Sequence, residues 1–317
     1  ACAAAAFSRL VFPAAAPPAP TDYPTKPVTL IVPLAPGGSA DGTARLLAKH
    51  LGEVWKQPVI VDNRPGAAAG VGIGAVARAQ PDGYTLLLTP VSISTGKVYV
   101  KNPGYDAEKD FTHITQLITT NYVISVNEKF PAKNLTELIA YAKDKPEGLF
   151  HGAGAGGMLL ASEFFAQKVG IKLTQVNYRG EAPAMSALAS GDTQIVFSSA
   201  LAARPFFESG KVRPLAVASK SRVPFAADLP SAAESGLPDF EIDFWFGLSA
   251  PANTPSDIVK RIGDEVARFL KTPEAAEKLK KLGFAPKSST PEEFTKHVAA
   301  ETARWTEVAR RAGIKPQ

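Results

Sequence analysis

Apolar residues fall along this chain in two rhythms. The unbroken run from Val28 to Pro33 reads as a buried strand. Leu46, Leu47, His50, Leu51, Val54 and Trp55 then recur at helical spacing and give one mostly apolar face. "QPVIVDNRPG" is a second strand ending in a turn, "GVGIGAVARA" a second helix, and "PDGYTLLLTP" a turn leading into a third apolar strand.

The middle of the chain repeats this plan. "LFHGAGAGGMLLASEFFAQKVG" reads as strand, glycine loop and helix, and "IKLTQVNYRG" as strand and turn. "APAMSALAS" and "GDTQIVFSS" complete it as helix, turn and strand. Arg64-Pro65-Gly66 and Tyr178-Arg179-Gly180 take corresponding places, as do Asp82-Gly83 and Gly191-Asp192. Residue identity between the halves is negligible, so the repeat is one of architecture. Strands alternating with helices predict an α/β protein of two units, each a parallel sheet with helices on both faces. In such open sheets ligands bind at the carboxyl ends of the strands, beside the strand-to-helix loops. Both units carry a glycine-rich loop there, and two facing edges make a cleft.

The last third is mainly helical. One helix is expected to start at Thr254 or Ser256, and another at the capping signal of Thr290. These helices are expected to wrap one lobe, reached by the strand Phe244–Pro251. The expected boundaries are 1–22 for a leader remnant or linker, 23–122 plus 248–317 for the first lobe, and 123–247 for the second. Two connecting strands, near Thr119–Val123 and Phe244–Ala250, predict a hinge.

Composition fits this picture. The chain has 317 residues, 45% of them hydrophobic and 21% charged, enough for two cores. Its 25 Gly and 27 Pro are spread along it as turn punctuation. A net charge of +5 is mild, without the concentrated basic patch of a nucleic-acid binder, and Lys278, Lys280 and Lys281 read as a solvated helix face. Cys2 is the sole cysteine, which rules out a disulfide within the chain. "ACAAAAFSRLVFPAAAPPAP" resembles the end of a secretory signal. Cys2 is a candidate lipid-attachment site, with a signal remnant the preferred reading.

The chemistry centres on "VPLAPGGSADGTARLL". No Gly-Lys-Ser/Thr follows Gly37-Gly38, so this is not a nucleotide phosphate loop, and Gly70–Gly74 reads as helix packing rather than a dinucleotide fingerprint. Ser39 lies on a strand–turn–helix as a hydrolase nucleophile does, which makes a serine-type hydrolase the alternative function. The second elbow glycine is missing, however, and none of His50, His113, His151 and His297 stands out as a base. His113 is expected in a loop and His151 beside the second glycine loop. No histidine pair has metal-ligand spacing, and no cofactor is implied. An anion site fits better, because exposed N–H groups at a helix N-terminus bind carboxylate without a charged side chain. The glycines would let backbone approach the ligand, and at Gly38 would also meet a demanding backbone angle. Asp41 has two readings: complementing the helix dipole, or holding a water or a protonated ligand group.

Several motifs occur together and in order. They are Lys26-Pro27, Pro33-x-x-x-Gly37-Gly38-x-x-Asp41, Val61-x-Asn63-Arg64-Pro65-Gly66, Pro81-Asp82-Gly83-Tyr84, Tyr178-Arg179-Gly180, Gly236-Leu237-Pro238 and Trp245-Phe246-Gly247-Leu248. With them, from about Tyr23 to the C-terminus, the chain resembles the Bug-type periplasmic solute-binding receptors of tripartite tricarboxylate transporters. The resemblance implies a two-lobed Venus-flytrap fold of the type II periplasmic-binding-protein class. It further implies a small carboxylate held in the cleft, delivery to the membrane subunits of a transporter, a periplasmic location and a monomer. Carried over residue by residue, the ligand contacts are Leu34, Ala35, Gly37, Gly38 and Ser39 from the first loop. Ser92 joins them from the strand end at Pro90–Ser92, and Gly154, Ala155, Gly156 and Gly157 from the second loop; Asp41, Tyr178 and Ser198 are further candidates that the carry-over itself does not supply. Family members usually have Ser or Thr and then His just after the second loop, where this chain has Gly157, Met158 and Leu159. Many carry Asp where Ser198 stands. These departures, with Phe197 and Trp245 near strand ends, predict a ligand with an apolar body, aromatic or aliphatic, over a compact polar one such as citrate. All three aromatics Phe197, Trp245 and Phe246 have a core reading too, and for Phe246 it is the preferred one.

Overall fold

The computed structural model describes residues 22–153, 156–178, 180–314 and 316. Residues 1–21, with Cys2, lie outside them, as do Gly154, Ala155 and Arg179.

In chain order the first elements are β1 (Val28–Val32), α1 (Ser39–Trp55), β2 (Val59–Asn63), α2 (Gly70–Ala77), β3 (Thr85–Pro90), α3 (Ser92–Tyr99) and β4 (Phe111–Asn121). Then come β5 (Val123–Asn127), α4 (Leu135–Lys143), β6 (Leu149–Ala153), α5 (Gly156–Val169), β7 (Leu173–Asn177), α6 (Glu181–Ser190), β8 (Ile195–Ser198), α7 (Ala200–Glu208) and β9 (Val212–Val217). The chain ends with β10 (Asp243–Pro251), α8 (Ser256–Leu270), α9 (Pro273–Lys281), β11 (Ala285–Pro286) and α10 (Pro291–Ala312).

Two sheets form. The first runs β11-β4-β10-β3-β1-β2 and the second β7-β6-β8-β5-β9. In each, three strands are parallel, as the alternating pattern predicts: β2, β1 and β3 in the first, β7, β6 and β8 in the second. Neither sheet is parallel throughout, which corrects the expectation. β10 pairs antiparallel with β3 and β4, and β5 pairs antiparallel with β8 and β9. The physical reason is connectivity. β5 and β10 each enter their sheet by crossing from the other one, through Tyr122 and through Ile242, so each runs against its neighbour.

The junction is braced by side chains. Asn121 Nδ2 donates to Ala218 O (3.2 Å) and to Asp243 Oδ1 (3.0 Å), tying both crossings together. Tyr122 is buried at the junction, edge-on to Phe244.

Thr290 caps α10 with a full capping box, as its sequence signal predicts. The other start differs. α8 begins at Ser256 with Pro255 preceding it and no side-chain cap, while the Thr254 hydroxyl donates to Pro251 O (2.8 Å) and serves the preceding turn. Nor does α10 stay with one lobe. Its first half packs Phe294 and His297 against Trp245 of the first sheet. Its second half meets α5, where Gln167 Nε2 donates to Val308 O (2.9 Å) and Phe164 packs on Trp305. Arg304 also donates to Glu241 O (2.5 Å) near the second crossing. The helix is thus a strap over both lobes. It is long enough, at 22 residues, to span them.

Candidate ligand-binding cleft

The carboxyl ends of β1 and β3 in one lobe, and of β6 and β8 in the other, carry the strand-to-helix loops. These edges meet directly. A Cβ built on Gly157, at the start of α5, would lie 3.0 Å from Val91 Cγ1, at the start of α3, and 2.7 Å from the Tyr122 hydroxyl. The space between the two helix starts therefore leaves no room for a side chain on Gly157.

On the first lobe, Ala35, Gly37 and Gly38 are exposed, with Leu34 and Ser39 half-buried. Gly38 is the N-cap of α1 and no side chain caps the helix, so its first N–H groups have no partner of that kind. The loop is held from behind. Asn63 Nδ2 donates to Leu34 O (3.1 Å), Arg64 N–H donates to Val32 O (2.8 Å), and Gly72 of α2 abuts Pro33 so closely that a Cβ there would sit 2.7 Å from it. The backbone angles place the demand differently from the sequence expectation. Gly37 has φ +82°, in the left-handed region where glycine is favoured, whereas Gly38 has an ordinary φ of −90°. A Cβ on Gly38 would meet only Ala35 O, at 3.8 Å.

Asp41 is buried behind this loop and binds it. Its Oδ2 accepts from Gly37 N–H (3.1 Å) and from Arg45 Nε (2.9 Å), one turn on. Burial pushes its carboxyl up, but the bonds from Arg45 and Gly37, with the nearby Asn63 amide, outweigh that and hold it below the usual range. Its Oδ1 is buried with no hydrogen-bond partner among the described residues.

On the second lobe, Gly156 and Gly157 open α5, and Tyr178 N–H donates to Ala153 O (2.8 Å) at the end of β6. Ser92 begins α3 across the interlobe contact and is buried. Ser198 ends β8, fully buried, and its Oγ has no partner among the described residues. Gly154 and Ala155 belong to the undescribed part of the second loop. The structure thus puts the remaining sequence candidates on the facing edges of two lobes, although they lie up to 164 positions apart, from Leu34 to Ser198.

The aromatic candidates behave otherwise. Phe197 packs on Phe165, Trp245 on Phe294 and His297, and Phe246 on Phe244 and Phe284, all of them buried. These three side chains are core, because each alternates onto a sheet face covered by a helix or by other rings. Met158 and Leu159 are also buried.

The histidines are engaged elsewhere. His50 bonds Glu265 (2.8 Å) and stacks on Phe269. His113 is on β4 rather than in a loop, bonded to Ser249 Oγ (2.8 Å) and Ala107 O (2.9 Å). His151 lies on β6 with Ser162 (3.1 Å). Burial pushes both His113 and His151 down to about 4. Among the described residues none of the four hydrogen-bonds Ser39, so the pair that hydrolysis would need does not form there. No group of three or more His, Cys, Asp or Glu among them could hold a metal ion.

Two features of these edges gave no sequence signal. One is Glu181, whose carboxylate accepts from the Ser199 N–H (3.0 Å) and hydroxyl (2.7 Å) across 18 residues. The other is the turn after β2, where Ala67, Ala68 and Ala69 all have positive φ (47°, 52° and 80°), a strain typical of functional edges.

Residues 43–314 match the tripartite tricarboxylate transporter family receptor. The chain belongs to that family. Its receptors are periplasmic solute-binding proteins, in keeping with the two-lobed fold. An R. palustris protein, Rpa4515, solved with adipate, is 37% identical with a TM-score of 0.88, covering 93% of this chain and 100% of that one. MatC from Rhodopseudomonas palustris, solved with bound malate, is 28% identical with a TM-score of 0.81, covering 90% and 100%. Protein BugT of Bordetella pertussis is 32% identical over 95% of this chain and 94% of its own. The receptor's relatives are thus matched along nearly their whole length.

Proposed function

We propose that this receptor captures a small carboxylate between its lobes and hands it to the membrane subunits of a tripartite tricarboxylate transporter. The observation that carries the reading is the start of α1, which no side chain caps, with exposed Gly37 and Gly38 at the carboxyl end of β1. Backbone N–H groups there, aligned with the helix dipole, grip one carboxylate group. Leu34, Ala35, Gly38 and Ser39 supply the grip, and Asp41 fixes its shape by holding the Gly37 N–H. Ser92, Gly154, Ala155, Gly156, Gly157, Tyr178 and Ser198 close on the rest of the ligand. Adipate in one relative and malate in another support a carboxylate as the ligand class. Met158 and Leu159 are core, but with no polar side chain from Gly157 to Leu159 the ligand body is expected to be apolar rather than that of citrate. The protein acts as a monomer in the periplasm, sent there by its leader, and has no catalytic role.

The test is a thermal-shift screen against hexanoate, 6-hydroxyhexanoate, adipate, malate, benzoate and citrate. A ligand at 100 times its dissociation constant stabilises the folded state by about 2.7 kcal/mol. Stabilisation by at least one carboxylate other than citrate is expected. No shift with any of them, or ester hydrolysis abolished by Ser39→Ala, overturns the reading.

A further inference from the structure

The second lobe carries a carboxylate of its own at the cleft edge. Glu181 is the first residue of α6, placed where β7 ends, and it is largely enclosed by protein. Both its oxygens take a hydrogen bond from Ser199, the residue after β8 and N-cap of α7. Those donors are of the same kind that the proposed grip uses on the first lobe. In the second lobe they are already filled from within the chain, so they are closed to a ligand carboxylate. Each Glu181 oxygen keeps a further lone pair for a donor.

Ser198 adds an independent sign. On β8 the Phe197 ring turns towards Phe165 of α5, so the Ser198 side chain turns to the opposite face, the one that α6 covers. There its Oγ is fully buried and without a partner among the described residues. A buried hydroxyl left unpaired costs free energy that a ligand can recover. Glu181 also acts on the junction: the Tyr122 hydroxyl, held against Gly157, is pushed well up by burial and then by the nearby Glu181 charge.

We propose that Glu181 and Ser198 form the far subsite of the cleft and select a ligand whose second end donates a hydrogen bond, an ω-hydroxycarboxylate, against one ending in a second ionised carboxylate. This rests on the binding reading above and narrows its ligand class. A hydroxyl reaching Glu181 donates its one hydrogen in a charge-assisted bond and accepts from the Ser198 hydroxyl. A second carboxylate there meets like charge at a few ångströms in a partly dry edge, which costs at least tenfold in affinity.

The test is calorimetric titration of the full chain at pH 7.5 with hexanoate, 6-hydroxyhexanoate and adipate, which share the six-carbon length of the adipate seen in the relative. Wild type is expected to bind 6-hydroxyhexanoate at least tenfold more tightly than adipate. Glu181→Gln, whose amide can still bond Ser199, is expected to shrink that ratio to threefold or less. Ser198→Ala, should Glu181→Gln not fold, is expected to weaken 6-hydroxyhexanoate relative to hexanoate. Adipate binding wild type as tightly as the hydroxy acid, or ratios that neither variant moves, overturns the assignment while leaving carboxylate binding intact. No heat with any of the three overturns both.

Discussion

Apart from the two-residue edge strand β11, the first lobe orders its strands β2-β1-β3-β10-β4 and the second β7-β6-β8-β5-β9, so the same plan is laid down twice. Each lobe also puts an acidic residue at the start of a helix on the cleft edge, and the two are treated in opposite ways. Asp41, in the first turn of α1, is paired with Arg45 and ties down Gly37, leaving the helix start open. Glu181, the first residue of α6, bonds Ser199 and fills the donors at the end of β8. Burial raises Glu181 despite those two bonds, whereas the partners of Asp41 overcome its burial and lower it. A common fold therefore yields one edge whose helix start is left without a side-chain cap and one whose donors are already filled from within the chain. The helix dipole is the same in both; what differs is which group has already used it.

The largest expected effect tests the bracing of the first edge. Gly72→Ala places a Cβ 2.7 Å from Pro33 and 2.8 Å from Arg64 O, both backbone-bound and unable to yield. Overpacking of that kind costs about 1–3 kcal/mol. Thermal unfolding should fall by several degrees, and an unchanged melting temperature would show that the first loop is not braced from α2.

Gly157→Ala tests the second edge and should act on binding. The added methyl meets Val91 and the Tyr122 hydroxyl across the lobes, so it wedges the cleft open. Carboxylate affinity should drop about tenfold, roughly 1.4 kcal/mol. Calorimetry showing wild-type affinity would mean that the contact at Gly157 has no part in closure.

The smallest effects separate the two acids by sign. A carboxyl held below its ordinary range contributes stability above about pH 4, lost as the pH falls through the lowered value. Asp41→Asn should thus lower the melting temperature at pH 7, with the difference closing towards pH 3. Glu181 is raised, so its contribution is present below about pH 4 and lost as the pH rises through the raised value. Glu181→Gln should raise the melting temperature at pH 8 and change it little at pH 4. Shifts of the same sign in both variants would erase the contrast.

Much of this was legible from the pattern of residues. The strand–turn–helix around Gly37 and Gly38 shows in an apolar run, two glycines and a helical face, and the parallel trios follow from strands alternating with helices. What stayed hidden depends on contacts far apart in the chain. The direction of β5 and β10 is set by which lobe each strand comes from, not by its own residues. Glu181 meets Ser199 only because β7 and β8 flank β6. Gly38 drew the angular argument that belongs to Gly37, since adjacent glycines look alike until their φ values are known. The strap formed by α10 was hidden for a related reason: Phe294, Val298, Trp305 and Val308 form one apolar stripe, and only packing shows that its first half serves one lobe and its second half the other.

The central claim is that the start of α1 grips the ligand carboxylate, and Gly38→Val tests it most directly. The backbone at Gly38 suits any residue and the added Cβ has room, so the variant should fold with a melting temperature close to wild type. Its side chain would stand where the ligand oxygen is expected. Charge-assisted hydrogen bonds worth about 1.5–3 kcal/mol each would be lost. Titration with whichever of hexanoate, 6-hydroxyhexanoate and adipate binds wild type most tightly should show affinity reduced by about a hundredfold or more, on the order of two lost bonds. Undiminished affinity in a folded Gly38→Val protein would contradict the account and place the carboxylate elsewhere.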